Sequence, residues 1–248
     1  MPAEDELAGA LRENADLRHA LEDCQAAREA AERELHDFVY AASHDLQEPL
    51  RAVCAYGQIL RRKFESDAEI DELTGFIVDG ASRAAALVQA LLAYSRAGAS
   101  PRIETIRLES ALQTALFKLS KRIRESNAEI IYADLPEVTA DELQLGQVFE
   151  HLLSNAMLFT ADEAPRVQVN AEEAAEAVII SVRDNGKGID PRFHELIFQP
   201  FKRLHGKEVA GVGLGLAVCR KIIAAHGGRI WVESDGQHGS TFKFSVPV

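Results

Sequence analysis

The sequence predicts an α+β protein of two domains, in which a helical hairpin is followed by an α/β sandwich. Residues up to 97 are typical of long helices, because apolar side chains recur at helical spacing and glycine and proline are rare. After the break at residues 98–101 (GASP), short strand-like and helix-like segments alternate. We therefore expect a coiled-coil helix over residues 1–36, a hairpin over 37–98 and a sandwich domain over 102–248.

The first 36 residues carry a heptad repeat, which predicts a coiled coil. Apolar residues fill most a and d positions over about five heptads. The a positions are Leu7, Asn14, Leu21, Arg28 and Leu35, and the d positions are Ala10, Leu17, Cys24, Ala31 and Phe38. Asn14 and Arg28 weaken the apolar seam, but polar residues at a positions can fix register and partner number. A single solvated helix held by i,i+4 charge pairs is the alternative.

Two further helical segments predict an antiparallel hairpin. The first continues through residue 63, and Pro49 is expected to kink it or loosen one turn. The second runs over 71–97, with its apolar residues mostly on one face. A short polar connection joins the two. Each hairpin has more apolar surface than one partner helix covers, so we expect two copies to form a dimeric four-helix bundle.

The remaining residues predict a sheet with helices layered on one face. Segments 166–172 and 177–184 are expected to be antiparallel neighbours, because both show alternating or continuous apolar residues. The predicted strands cover 103–108, 128–134, 166–172, 177–184, 228–234 and 241–248, and the predicted helices cover 109–125, 141–159 and 214–226.

Charge and composition argue against several classes of partner and location. A net charge of −12 disfavours general nucleic-acid affinity and binding to anionic membranes, both of which need positive surface. Three widely spaced cysteines without a CxxC motif argue against a disulfide framework or a zinc site. No apolar run approaches the length of a membrane span, and no signal-peptide pattern precedes the first charges. We expect a cytoplasmic protein without a membrane span.

Two glycine-rich stretches indicate loops that approach a ligand. DNGKGID (184–190) follows an apolar strand and predicts a tight turn. GVGLGLAVCRKI (211–222) leads into a helix whose first N–H groups favour an anion. Its glycine spacing differs from the dinucleotide fingerprint, and no GK[ST] follows as in a Walker A loop. Either stretch alone is equally well explained as a structural turn.

Together with three other segments, these loops form a series that resembles a known family. The series is HLLSNAMLFT (151–160), DNGKGID, IFQPFKRLHG (197–206), GVGLGLAVCRKIIAAHGG (211–228) and GSTFKF (239–244). It resembles the N, G1, F and G2 boxes of sensor histidine kinases, whose ATPase superfamily includes gyrase, the Hsp90 chaperones and the MutL repair proteins. FVYAASHDLQEPLR (38–51) resembles the H box of those kinases, with most likeness to kinases attached to phytochrome-type and PAS sensors. The resemblance covers about residues 37–248.

The resemblance implies that the sandwich domain binds ATP and Mg²⁺. Asp184 matches the carboxylate that accepts a hydrogen bond from the adenine amino group, a role that suits an acceptor-only side chain. Gly186 and Gly188 would keep the wall of that pocket thin. Asn155 matches the asparagine that binds Mg²⁺, an ion that characteristically takes few protein ligands. Inside an apolar helix, an amide without such a partner would be costly.

The resemblance also implies a phosphate loop and a lid. Gly211, Gly213 and Gly215 match the loop that wraps the phosphates. Residues from about 189 to 210 would form the mobile lid. Arg203 matches a lid arginine that reaches the γ-phosphate, with a solvated surface charge as the alternative.

Five further positions follow or depart from the family pattern. Phe198 and Phe201 are expected to anchor the lid by packing on the domain, and Thr241 matches a small polar position near the adenine. Leu158 stands where most of these kinases have lysine or arginine, so a phosphate contact is expected to be missing. His151 stands where they usually have asparagine, and would either contact Mg²⁺-bound water or close the pocket wall.

His44, in the stretch SHDLQEPLR, matches the residue that receives the γ-phosphoryl group. Imidazole is a good nucleophile near neutral pH because its neutral form is well populated there. Asp45 matches the adjacent acid that orients the ring and accepts its proton. Pro49 would permit a bend that brings His44 to the nucleotide. Glu48 stands where many relatives have threonine or asparagine, which predicts weak phosphatase activity.

The resemblance therefore implies a homodimeric, ATP-dependent histidine kinase of two-component signalling. It would phosphorylate itself on His44 and pass the phosphoryl group to an aspartate of a response regulator, under control of an upstream sensor not in this chain. One alternative is a phosphotransfer or scaffold protein with a decayed ATP site, which Leu158 and His151 motivate. Another is a gyrase-like or chaperone-like ATPase, against which the hairpin with His44 argues.

Overall fold

A computed structural model describes most of the chain. The described residues are Arg18 and residues 39–40, 42–43, 45–64, 67–160, 163–204 and 212–247. The predicted coiled coil over 1–36 lies outside them apart from Arg18, and so do His44 and Gly211. Two compact units divide the chain, one up to Val88 and one from Gln89.

The first unit contains most of the predicted hairpin. Helix α1 includes residues 45–63 and continues across Pro49 without interruption, and helix α2 spans Ala68–Arg96. Asp67 caps the start of α2, because its Oδ1 accepts the N–H of Ile70 over 3.3 Å. The second helix therefore begins three residues before the predicted residue 71.

The two helices of the hairpin run antiparallel and close together. Arg61 Nε lies 2.8 Å from Asp71 Oδ1, and Cys54 Sγ lies 3.9 Å from the carbonyl oxygen of Val78. Gly57 permits this approach, since a Cβ there would lie 2.6 Å from Val78 Cγ2. The predicted hairpin is thus confirmed, because a residue near the end of α1 contacts one near the start of α2 and the middles of the two helices also meet.

A group of large apolar side chains on the hairpin is exposed in the single chain. Each of the following is at least 50% exposed: Leu46, Tyr56, Ile59, Leu73, Phe76 and Ile77. Exposed apolar patches of this kind mark interaction surfaces more often than isolated residues do.

Among the described helices, one is long and apolar enough to cross a membrane, by length and composition only, contrary to the sequence-based expectation. It is Glu69–Arg96, with a hydropathy of 1.4 in its most apolar window. The reason is that Asp79 and Arg83 are the only charged residues between Glu72 and Arg96. The absence of a membrane span therefore stays a prediction.

The second unit contains a five-stranded sheet and a separate two-stranded pair. The strands are β1 (Glu104–Arg107), β2 (Glu129–Tyr132), β3 (Glu137–Ala140), β4 (Arg166–Ala174), β5 (Ala177–Asp184), β6 (Ile230–Glu233) and β7 (Thr241–Pro247). The large sheet has the order β2-β4-β5-β7-β6, in which only β2 and β4 are parallel. β1 and β3 form the antiparallel pair. The sequence did not predict β3.

The second unit also contains three helices, α3 (Leu108–Ser126), α4 (Glu142–Leu158) and α5 (Gly215–Ala225). α4 and α5 pack on the large sheet, and α3 packs beside α4. Buried residues alternate with less buried ones along β5 and β7, which is the pattern of a sheet with one covered face. Phe149 of α4 meets Phe244 of β7 edge-to-face, with ring centroids 5.8 Å apart. The predicted α+β class and the layered sandwich are confirmed.

Candidate functional site

The second unit contains a cavity of about 480 Å³, within the size range of small-molecule sites. Its wall combines α4, the end of β5, the start of α5 and part of the predicted lid. The predicted residues that line it are His151, Asn155, Leu158, Asp184, Gly188, Arg203, Gly213 and Gly215. Gly186 and Thr241 do not line it.

Asp184, the last residue of β5, is held by backbone groups through one carboxylate oxygen. Its Oδ1 accepts the N–H of Gly186 over 2.8 Å and the N–H of Ser240 over 3.1 Å. Among the described residues, none donates to the other oxygen, Oδ2. Burial raises the pKa of this carboxyl above 3.8, and the two backbone bonds oppose the rise. The side chain is oriented by the fold and retains an acceptor for a ligand.

The glycines after Asp184 bring this loop close to its neighbours. A Cβ at Gly186 would lie 2.5 Å from the carbonyl oxygen of Phe159, at the end of α4. Gly188 has a φ of +74°, and a Cβ there would lie 2.6 Å from the backbone nitrogen of Gln237. Gly186 therefore allows the loop to pack on α4, while Gly188 forms the cavity wall.

His151 and Asn155 lie one turn apart on α4, on the same side of the helix. The Nε2 atom of His151 is buried, and it has no hydrogen-bond partner among the described residues. Burial lowers the pKa of His151 below 6.5, so its imidazole is neutral at physiological pH. The side-chain amide of Asn155, which also lines the cavity, likewise has no hydrogen bond to another described residue. Two neighbouring polar side chains of the cavity thus retain capacity for a ligand.

The N-terminus of α5 faces the same region. Gly213 has a φ of +78°, which favours glycine, and Gly215 begins the helix. A Cβ at Gly215 would lie 3.2 Å from His151 Nδ1, so glycine lets the helix start approach α4. Leu214, at the N-cap, supplies no side-chain cap for the first N–H groups of α5. Such uncapped N–H groups favour an anionic ligand.

In the described part of the predicted lid, the ring of Phe198 packs on the domain as expected, whereas the ring of Phe201 does not. Phe198 is 3% exposed and packs edge-to-face on Phe242, with centroids 6.4 Å apart. Phe201 is 53% exposed, so the prediction that its ring packs on the domain is wrong. Its backbone makes the contact instead, with the N–H donating to the carbonyl of Gly213 over 2.9 Å. Arg203 lines the cavity next to Gly213.

At the start of β7, the residue that lines the cavity is one position away from the residue that the sequence predicts. Ser240 lines the cavity, whereas the predicted Thr241 does not. The reason is the two-residue period of a strand, which directs Ser240 to the same face as the buried Phe242. The same alternation is present in the sequence GSTFKF and could have identified Ser240 as the residue that faces the cavity.

Sequence reasoning also missed two residues that line the cavity from α3 and α4. Arg122 Nη1 donates to the hydroxyl of Ser154 over 2.7 Å. Ser154 directly precedes the predicted Mg²⁺ ligand Asn155, and this position within the motif could have identified it from the sequence. Nothing in the sequence near Arg122 indicates a role in the cavity, because only the packing of α3 beside α4 brings it there.

The phosphoacceptor motif belongs to the first unit. Asp45, Glu48 and Pro49 lie on α1 and are exposed, and His44 is outside the described residues. No group of three or more histidine, cysteine, aspartate or glutamate side chains is placed for metal binding in the part of the chain that the structure describes.

Two family models match the chain. The model for the histidine kinase A phosphoacceptor domain matches residues 34–100, and the model for the ATPase domain of histidine kinases, DNA gyrase B and HSP90 matches residues 140–248. The catalytic domain of the histidine kinase ThkA, in a nucleotide-free form, is 31% identical with a TM-score of 0.51, and the likeness covers 59% of this chain and 97% of that one. The chain belongs to the histidine kinase family.

Other relatives agree with this histidine kinase assignment. Cyanobacterial phytochrome A of Nostoc sp. is 44% identical over 95% of this chain and 32% of its own length. Full-length ShkA in complex with AMPPNP is 28% identical with a TM-score of 0.66, over 85% of this chain and 45% of that one. The kinase chain spans about a third of the length of the curated relatives it matches first.

Proposed function

We propose that this chain is an ATP-dependent histidine autokinase that phosphorylates His44 and passes the phosphoryl group to an aspartate of a response regulator. One observation carries the proposal. The chain that matches the phosphoacceptor domain also contains a cavity in which four features lie together. They are an oriented carboxylate, two polar side chains that have no hydrogen-bond partner among the described residues, and a helix start without a side-chain cap.

Asp184 would recognise adenine. Its Oδ1 is engaged by the backbone of Gly186 and Ser240, whereas Oδ2 accepts no hydrogen bond from a described residue. The adenine amino group only donates and an ionised carboxylate only accepts, so the two are complementary. Because the backbone N–H groups of Gly186 and Ser240 fix the carboxylate, little side-chain freedom is lost when the base binds.

Asn155 and His151 would hold Mg²⁺ in the same cavity. An amide oxygen is an ordinary Mg²⁺ ligand, and this ion usually keeps several waters and binds through substrate phosphates. The Nε2 of His151, which has no partner within the described part of the chain, would accept or donate a hydrogen bond at a water of that shell. When bound, the ion neutralises charge on the phosphates.

The phosphates would lie at the start of α5. Gly213 and Gly215 allow the backbone to approach closely, and Gly211 would continue that loop. The N–H groups of the first turn lack a side-chain cap and would bind phosphate oxygens. Arg203 would add a charged contact from the lid.

In the transfer itself, the neutral nitrogen of His44 attacks the γ-phosphorus, the bond to the bridging oxygen breaks, and ADP leaves. The proton on the other ring nitrogen passes to Asp45, or stays hydrogen-bonded to it. Phosphoryl transfer depends mainly on positioning and charge neutralisation, so the two domains must bring His44 to the cavity in line.

The assembly and its partners extend the proposal. The exposed apolar residues of α1 and α2 support a homodimer through the hairpin, with the coiled coil over 1–36 as a second dimer contact. The domains would cover 1–36, 37–98 and 102–248. The relatives named as phytochromes support a cytoplasmic chain under the control of an upstream sensor domain or protein.

The test is incubation with Mg²⁺ and γ-labelled ATP. We expect an acid-labile, alkali-stable label on the wild type, loss of that label in His44→Gln, and an unchanged label in the control His238→Gln, which alters an exposed histidine. Label that persists in His44→Gln would contradict the assigned site.

Leu158 supports a second candidate, a scaffold or phosphotransfer protein with a decayed ATP site, because an apolar side chain lines the cavity where the family pattern has a cation. Absence of both label and nucleotide binding would favour that candidate over the kinase.

A further inference from the structure

A cation outside the family motifs lies in the wall of the cavity. Arg122 belongs to the C-terminal part of α3, is partly buried, and lines the same cavity as Asn155 and Asp184. The other cations of the wall, Lys187, Lys202 and Arg203, belong to loop segments. Among the described cations of the wall, Arg122 thus differs from the others in belonging to a helix.

A hydrogen bond orients the Arg122 guanidinium. Its Nη1 donates to the Ser154 hydroxyl over 2.7 Å, and Ser154 directly precedes Asn155. Within the described residues this is the one hydrogen bond of the Arg122 side chain, whereas a guanidinium has five N–H donors. Ser154 therefore fixes one edge of the group and leaves the other donors for a ligand.

No acidic side chain of the described residues neutralises Arg122. One turn earlier on the same helix, Lys118 pairs with Glu150 of α4 at 3.0 Å. At the corresponding place Arg122 contacts the neutral hydroxyl of Ser154, so no neighbouring carboxylate of the described residues offsets its positive charge. A permanently charged, partly buried guanidinium without an acidic partner is a strong site for an anion.

The position of Arg122 complements that of Leu158. Ser154 and Leu158 are four residues apart on α4, so they lie on the same face of the helix. Arg122 reaches this face from α3 through its bond to Ser154. The face of α4 that lacks a cation of its own thus receives one from the neighbouring helix.

We propose that Arg122 binds the phosphate chain of the nucleotide and that Ser154 is its positioning residue. This inference rests on the proposed ATP-binding function. Asp184 is the adenine acceptor in that proposal, and the phosphates are the only anionic part of the ligand. The flat guanidinium can bind two phosphate oxygens at once, which is the geometry that arginine provides and lysine does not.

The experiment is a calorimetric titration of the full chain with Mg²⁺-ATP and, separately, with adenosine. We expect Arg122→Gln to weaken ATP binding about tenfold, the loss of one charge-assisted contact, and to leave adenosine binding unchanged. Arg124→Gln, an exposed arginine two residues later on α3, is the matched control and should bind both ligands as the wild type does. The double variant Arg122→Gln with Leu158→Lys should recover most of the ATP affinity.

The possible failures are distinguishable. Equal ATP affinity in Arg122→Gln and the wild type would overturn the role of Arg122 while leaving the proposed function intact. A parallel loss of adenosine binding would also overturn it, because Arg122 would then act by holding α3 on α4. A wild type that binds adenosine and ATP equally well, or neither, would refute the phosphate site and the kinase proposal together.

Discussion

The backbone N–H of Ser240 donates to Oδ1 of Asp184 over 3.1 Å, although the two residues are 56 positions apart in the sequence. The bond joins the end of β5 to the start of β7, which are antiparallel neighbours in the sheet. Together with the N–H of Gly186, it determines which carboxylate oxygen is engaged and which can accept from a ligand.

Replacing Asp184 by asparagine should weaken adenine recognition. The amide has one acceptor instead of two, and its NH₂ would oppose the adenine amino group, so we expect at least a tenfold loss of ATP affinity, in proportion to a lost charge-assisted hydrogen bond. The label on His44 should fall in parallel. Asp134→Asn, at an exposed position of the same unit, is the control and should bind ATP normally.

Adenosine affinity should depend on pH through Asp184. Burial places the pKa of this carboxyl above 3.8 in the folded protein, so protonation removes the acceptor at a higher pH than for an exposed aspartate. Affinity should rise as pH increases through the raised pKa. The contribution of Asp184 to the free energy of unfolding has the opposite sign, being most favourable at low pH and lost as pH rises through that pKa. Binding measured between about pH 4 and 7 tests this, and a curve of the same shape in Asp184→Asn would contradict it.

A pair of leucine substitutions tests whether Ser240 or Thr241 borders the bound nucleotide. Ser240→Leu places a large side chain in the cavity wall, so ATP binding should be lost or fall more than about tenfold, as steric exclusion predicts. Thr241→Leu enlarges a residue that does not line the cavity, and binding should stay within about twofold of the wild type. If Thr241→Leu weakened ATP binding more than Ser240→Leu did, Thr241 would be the residue on the adenine side. Both variants should be checked for folding by circular dichroism.

Lys221 of α5 should stabilise the end of α2. Its Nζ donates to the carbonyls of Tyr94 and Ser95 over 3.3 and 3.0 Å and lies 5.3 Å from the centroid of the Tyr94 ring. Positive charge at a helix C-terminus is favourable, but the lysine is exposed, so Lys221→Met should lower the free energy of unfolding by only about 0.5–1 kcal/mol. Amide exchange at Ala97 should accelerate. The neighbouring exposed Arg220→Met is the control, and equal effects of the two would refute a specific cap.

The core contact between the sheet and α4 should dominate stability. Phe244 is fully buried and meets Phe149, so Phe244→Ala should lower the free energy of unfolding by about 3–5 kcal/mol. Phe117 is 83% exposed on α3, and Phe117→Ala should change it by less than about 0.5 kcal/mol. Urea unfolding of both variants measures the difference. Similar values would contradict the assignment of the core.

The sequence by itself determined the elements whose signal is local. Periodicity identified the hairpin, the order of strands and helices, and the antiparallel relation of β4 and β5, because apolar spacing records which face of an element is buried. Motif spacing identified Asp184, Asn155 and the glycine loops, because their chemistry requires particular residue types close together in the chain.

Only the tertiary structure decided features that depend on contacts between distant segments. β3 is a strand because it pairs with β1, and four residues carry too little pattern to show that alone. The backbone contact to Gly213, rather than ring burial, is what ties Phe201 to the domain. Arg122 enters the cavity wall because α3 packs beside α4, and the pairing of side chains across two helices has no signature within either one.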